Sequence, residues 1–422
     1  MGIVSSLLAD IPVPKMCPVR QIFDAKSIED AAAEYRKNMQ AAGVLESIEA
    51  GMSVAIAVGS RGIENLPLFV KLTVEDVISR GGKPFLFPAM GSHGGATAEG
   101  QRMMLEGMGV TEEYTGAPIR ATMEVVEVGT SSVGLPVHLD KYANDADGII
   151  VINRVKPHVS FRGPYESGIM KMLAIGLGKQ KGAEICHDAG FGSMAENVPS
   201  IGKELLKKTN ILWALALLEN AHHKTAKIEV LHAEEIEKRE PELQAEAKQL
   251  AARLYFDQLD VLILDEIGKD IGGTGFDTNL VGRYHTPYAS GGPSITRIAA
   301  LDLTEPSHGN GNGIGVLDFT TRRFFEKMDF EQTYPNSLTS TVPTSVKLPM
   351  VLGNDREAIQ AAIKTCNIAD KRKVRLVRMK NTNAAEHLYV SEALLEEVNA
   401  HENLETTGVP EAFRFDDNGN LF

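Results

Sequence analysis

Val54-Ala55-Ile56-Ala57-Val58, then Gly59-Ser60-Arg61-Gly62, then helical spacing from Leu66 to Arg80, then Pro84-Phe85-Leu86-Phe87-Pro88: this succession decides the fold. The two apolar runs are too short for helices and are bounded by Gly and Pro, so they read as buried strands. The helix-length stretch between them is the crossover that parallel strands require. The rhythm then repeats. Thr97-Ala98-Glu99-Gly100-Gln101 opens another helix with Thr97 as its N-cap, and Asp147 to Asn153 is another strand. This alternation predicts an α/β chain with mostly parallel sheets. Ligands of such sheets gather beyond the carboxyl ends of the strands. Arg61, His93 and His158 each follow a predicted strand end.

Further along, Glu234 to Arg253 is rich in Ala, Glu, Lys and Leu and reads as a long exposed helix joining two domains. A new strand begins at Leu259 to Leu264. The expected division is an N-terminal α/β domain, 1–254, carrying the catalytic loops, and a second α/β domain, 255–422, closing over the substrate. An active site is expected in the cleft between them. The 422 residues, 43% hydrophobic, suffice for two cores. The net charge of −13, with both signs interspersed, argues against a nucleic-acid surface. Lys371-Arg372-Lys373 reads as a solvated face. Three scattered cysteines, Cys17, Cys186 and Cys366, form neither a disulfide framework nor a zinc ribbon. Without a signal-like N-terminus or an apolar run of membrane length, a cytoplasmic protein with no membrane partner is expected.

Two Gly/Ser-rich loops carry the chemistry. One is Ala89-Met90-Gly91-Ser92-His93-Gly94-Gly95-Ala96-Thr97. The other runs from Lys156-Pro157-His158 through Ser167-Gly168-Ile169-Met170-Lys171 to His187. Glycine admits close backbone approach. Histidine carries protons near neutral pH or binds a metal, and lysine offers an amine for phosphate or for a covalent bond. Taken singly, each residue has a bland reading as a turn, a cap or a surface group; their grouping points to a catalytic pocket. The loop Gly272-Gly273-Thr274-Gly275 lacks a dinucleotide or Walker pattern. Arg283 is a candidate anion binder, with Arg297 as its alternative. His222, His223 and His285 suit a metal by residue type only and are read as structural. His308 is a candidate neighbour of the site, and Trp213 reads as core.

These residues resemble the nickel-dependent lactate racemase family. Gly91-Ser92-His93 with Thr97 and Glu99 is similar to its G-T-H-x-x-x-T-x-E segment. Ser167-Gly168-Ile169-Met170-Lys171 is similar to its S-G-G-x-K segment, and His187 falls at the spacing of its metal-binding histidine. The resemblance implies a racemase or epimerase of a 2-hydroxy acid, a small-molecule substrate. It implies nickel held in a nickel-pincer nucleotide, the pyridinium-3-thioamide-5-thiocarboxylic acid mononucleotide, linked to Lys171, with His187 as metal ligand. His93 and His158 would be the acid/base pair, in either order, around a reversible hydride transfer. Arg61 would bind the substrate carboxylate, with Arg283 as a second substrate-binding candidate, and cofactor-maturation enzymes would be partners. The family's D-x-T-R reads Val58-Gly59-Ser60-Arg61 here; the acid is missing, and a substrate larger than lactate is expected. A nicotinamide-dependent oxidoreductase is the first rival, although the dinucleotide fingerprint is missing. A non-catalytic ligand-binding protein is the second.

Overall fold

The computed structural model describes residues 2–60 and 62–422. The chain divides into two compact units. One is Asp24–Ala251; the other joins Met1–Phe23 to Ala252–Phe422. One boundary between the units falls between Ala251 and Ala252, and the segment before Asp24 groups with the C-terminal residues. The reason is strand pairing: Met16–Gln21 lies antiparallel to His387–Ser391 and to Leu404–Thr406.

In the unit of residues 24–251, a five-stranded sheet has the order Lys83–Pro88, Ser53–Val58, Gly148–Arg154, Ile211–Glu219, Thr225–His232. The first four strands are parallel, with Ile56 opposite Leu86 and Ile150; the last is antiparallel. The predicted strands are present, within a residue or so at each end. Val54, Ile56 and Val58 pack in one core with Tyr35, Phe69, Val70 and Leu105. Buried Tyr35 keeps its hydroxyl satisfied by donating to Asp76. Helix Leu66–Ser79 is the expected crossover, and Thr97 caps helix Ala98–Gly107 by accepting the Gly100 N–H. The antiparallel pair Val125–Thr130 and Pro136–Asp140 was not anticipated.

The stretch expected as an exposed connecting helix is the helix Ile236–Leu250, which buries Ile236, Glu240, Leu243, Gln244 and Ala247. Its charged composition masked that inner face. Trp213 is fully buried, and all three cysteines are buried free thiols.

The other unit holds an eight-stranded sheet ordered Met350–Leu352, Phe319–Thr321, Ser294–Leu303, Gln258–Ile267, Leu376–Met379, His387–Ser391, Met16–Gln21, Leu404–Thr406. Its first five strands are parallel and the rest antiparallel. Among the described residues, no helix is long and apolar enough to cross a membrane.

Phe69 is fully buried, and Trp213 is the single tryptophan, in the same core. Phe69→Ala should destabilise the 24–251 unit by about 3–5 kcal/mol. Urea unfolding followed by Trp213 fluorescence measures this.

Candidate active site

The strand order places Ser53–Val58 between Lys83–Pro88 and Gly148–Arg154. The chain leaves the central strand to one side and returns on the other. The crevice at the carboxyl ends of Ser53–Val58 and Gly148–Arg154 is therefore a topological switch point, the place where such sheets bind ligands. Three loops start along this edge. Arg61, expected in the first, lies outside the described residues. Its neighbour Gly59 is described: a Cβ there would lie 3.2 Å from Met172 Cε, so this loop abuts the segment that follows Lys171.

His93 stands in the second loop. Its Nδ1 lies 2.8 Å from the Met90 carbonyl, which can only accept. Nδ1 therefore carries the proton, and in the neutral ring Nε2 is the basic nitrogen. The loop also meets the segment after Lys171, where the Gly91 N–H donates to Gly176 O at 3.4 Å.

His158 stands in the third loop, closed at its base by the Lys156 N–H donating to Ser167 O. Its Nδ1 accepts the Ser160 N–H at 3.0 Å. The neutral ring therefore holds its proton on Nε2, the opposite tautomer to His93. Nε2 is 3.1 Å from Lys171 Nζ.

Lys171 ends the short turn Ile169–Lys171, which continues into a fully buried π-helical turn, Met172–Gly176. Such turns occur often at functional sites. Beneath it, buried Glu240 accepts the Met170 N–H at 2.7 Å. Burial pushes the Glu240 carboxyl up to about 8. A Cβ at Gly168 would collide with Glu240 Oε1, which is the physical reason for a glycine at this position.

His187 lies in the last turn of helix Lys179–Asp188. Its Nδ1 is buried with no hydrogen-bond partner among the described residues. Burial, reinforced by Lys171 when that amine is charged, pushes the ring down to about 4, so it is neutral near pH 7. The Phe191 ring sits 5.4 Å from His187 and 6.0 Å from His158, and Phe161 lies 4.5 Å from His158. His158, Lys171 and His187 thus share one aromatic-lined neighbourhood. Adjacent Cys186 is buried, with its thiol pushed up to about 12, and supplies no thiolate. Among the described residues there is no group of three or more His, Cys, Asp or Glu able to hold a metal.

Sequence reading missed the groups that hold these loops. Gln101 donates to Gly91 O at 2.8 Å and His93 O at 3.1 Å. Glu166 accepts the His158 N–H at 2.8 Å and pairs with Lys248 at 2.5 Å. Gln101, Glu166 and Glu240 are each 0% exposed. The only signal of their roles was a polar residue within a helical or loop pattern, which periodicity cannot rank.

In the other unit, the Arg283 guanidinium is spent on Asp318 at 2.5 Å and on the carbonyls of Val316, Ile295 and Thr296. Arg297 is likewise engaged, with Thr365 and Thr296 O. Lys269 stands two residues after the strand Gln258–Ile267, and its Nζ donates to Gly273 O and Asn336 Oδ1. The Lys269 N–H donates to Ser307 Oγ, beside exposed His308.

A family model described as the lactate racemase N-terminal domain matches residues 26–197, a span that holds His93, His158, Lys171 and His187. No functionally curated protein matches this chain significantly. Among solved structures, the chain is similar to the lactate racemase apoprotein from Thermoanaerobacterium thermosaccharolyticum. The TM-score is 0.52 at 13% identity, over 88% of this chain and 99% of that one. Residues 26–197 are thus similar to the lactate racemase N-terminal domain family, and the chain has the fold of that lactate racemase apoprotein.

Proposed function

We propose that this protein is a racemase or epimerase of a 2-hydroxy acid. The observation that carries the reading is the pair of histidines held in opposite tautomers on loops that meet one segment, Lys171 to His187. In the neutral state His93 offers a lone pair at Nε2 and His158 a proton at Nε2. Inverting a carbinol carbon through a 2-keto acid needs one group to take the hydroxyl proton and another to give one back. Reversal exchanges the roles. Arg61, from its place after Ser53–Val58, would take the substrate carboxylate in a bidentate way. With Val58-Gly59-Ser60 in place of an acid before Arg61, we propose a 2-hydroxy acid larger than lactate.

The residues fit a nickel-pincer nucleotide. Lys171 would hold it covalently and His187 would bind the metal. The buried, unpartnered Nδ1 and depressed basicity of His187 suit a neutral imidazole ligand. One protein ligand matches a metal held chiefly by the group itself. When bound, the group would supply a reversible hydride acceptor, while the protein supplies orientation and protons. The host's cofactor-making enzymes would be partners, and the buried free thiols fit a reducing cytoplasm.

A chiral assay across 2-hydroxy acids, with protein produced beside cofactor-making enzymes, should show inversion without added nicotinamide. His93→Ala and His158→Ala should each lower turnover by a factor on the order of 10². Inversion of none of the panel by nickel-loaded protein overturns the proposal.

Intact-mass analysis should find a covalent adduct on Lys171 that Lys171→Ala lacks. Metal analysis should find less nickel in His187→Ala than in His93→Ala. An adduct mapped to Lys179 or Lys181 would refute the assignment.

The pH dependence has a sign. In the unfolded chain His187 protonates near 6.5, in the fold near 4, so acidification favours unfolding through this ring. The stability it contributes is present above about pH 6.5 and declines toward pH 4. His187→Ala should therefore lose less stability than the parent over that interval, measured as urea midpoints.

A further inference from the structure

Lys179 is fully buried, at 0% exposure, and its backbone lies in the left-handed region at φ 55°. Both conditions disfavour a lysine, so specific partners must hold it there. Its Nζ donates to Pro88 O at 2.6 Å and to Gln101 Oε1 at 2.8 Å, and lies 3.3 Å from Asp140 Oδ2 as an ion pair. Gln101 and Asp140 are equally buried. Asp140 uses its other oxygen to accept the N–H groups of Tyr142 and Ala143.

The chemistry of these groups sets an orientation. An ammonium only donates, so Gln101 turns its oxygen toward Lys179 and its NH2 away. That NH2 is what grips the Gly91 and His93 carbonyls. With the amide reversed, Gln101 would set oxygen against two carbonyl oxygens. Pro88, the remaining acceptor, ends the strand from which the His93 loop springs. Lys179 itself begins the helix that carries His187. One buried cation thus ties the root of the His93 loop, the residue that grips it and the helix bearing His187.

We propose that Lys179, acting through Gln101 and with Asp140 as counter-ion, is a positioning residue that fixes the His93 loop against the Lys171–His187 segment. The functional consequence rests on the racemase reading above: Lys179 sets where His93 meets substrate without touching it.

Two variants test this. Lys179→Met/Asp140→Asn removes both charges together, avoiding a lone buried one. Gln101→Glu keeps an acceptor for Lys179 and removes both N–H donors. In cofactor-loaded enzyme each should lower kcat by at least about 10-fold with KM within about 2-fold, as expected when a catalytic group is displaced. In protein without cofactor, selectively labelled histidine should show His93 ring resonances moved and those of His285, in the other unit, unmoved. In the unaltered protein, the Gln101 side-chain amide protons should exchange slowly with solvent.

Folded variants with the parent's His93 resonances and kcat would overturn the proposal; a lowered melting temperature alone would then mark a merely structural residue. If neither variant folds, exchange of the Gln101 amide in the parent decides, and fast exchange overturns it. If the parent inverts no hydroxy acid, the racemase reading fails while the resonance and exchange measurements still judge the positioning role.

Discussion

In the unit of residues 24–251, the parallel strands Ser53–Val58, Lys83–Pro88 and Gly148–Arg154 all release the chain at one edge of the sheet. Parallel strands leave no alternative, because each must return through a crossover before the next begins. Everything chemical in this unit depends on that constraint. The loops of His93 and His158 begin at that edge, and the first strand leads toward Arg61. The reversal of strand order beside Ser53–Val58 opens the crevice into which they lead.

A shared edge places loops near one another but does not fix their atoms. That second task falls to buried polar side chains that reach for backbone rather than for substrate. Gln101 grips the carbonyls of the His93 loop, Glu166 takes the His158 N–H, and Glu240 takes the N–H of the turn that presents Lys171. A polar group out of water is costly unless bonded, so each of these groups holds its loop in one arrangement. Proton transfer needs such fixity, since small displacements of a catalytic group cost large factors in rate. Gly168 follows the same logic, because the Glu240 carboxyl group occupies the space where its side chain would be.

The surroundings of His187 are of another kind. Phe191 lies near both it and His158, and Phe161 lies close to His158. These rings remove water without offering hydrogen bonds, which is why the imidazole is held neutral. A weakly basic, partly dry imidazole suits metal binding more than proton transfer. His93 and His158, each fixed by a backbone hydrogen bond to one ring nitrogen, suit proton transfer. The division of labour proposed for the three histidines rests on these environments.

The amino-acid sequence by itself determined the α/β class, the strands at 54–58 and 84–88, the Thr97 cap, the burial of Trp213 and the residues of the two loops. These features depend on periodicity, capping and turn chemistry, which act over a few residues and are visible locally. Tertiary structure alone decided the pairing of Met16–Gln21 with His387–Ser391 and the buried face of helix Ile236–Leu250. It also decided the occupation of Arg283 by Asp318, and which of many polar residues, Gln101, Glu166, Lys179 and Glu240, lie beneath the loops. Those outcomes join residues far apart in the chain. A side chain's partner there is set by the packing of whole elements, and no local pattern in the sequence encodes it.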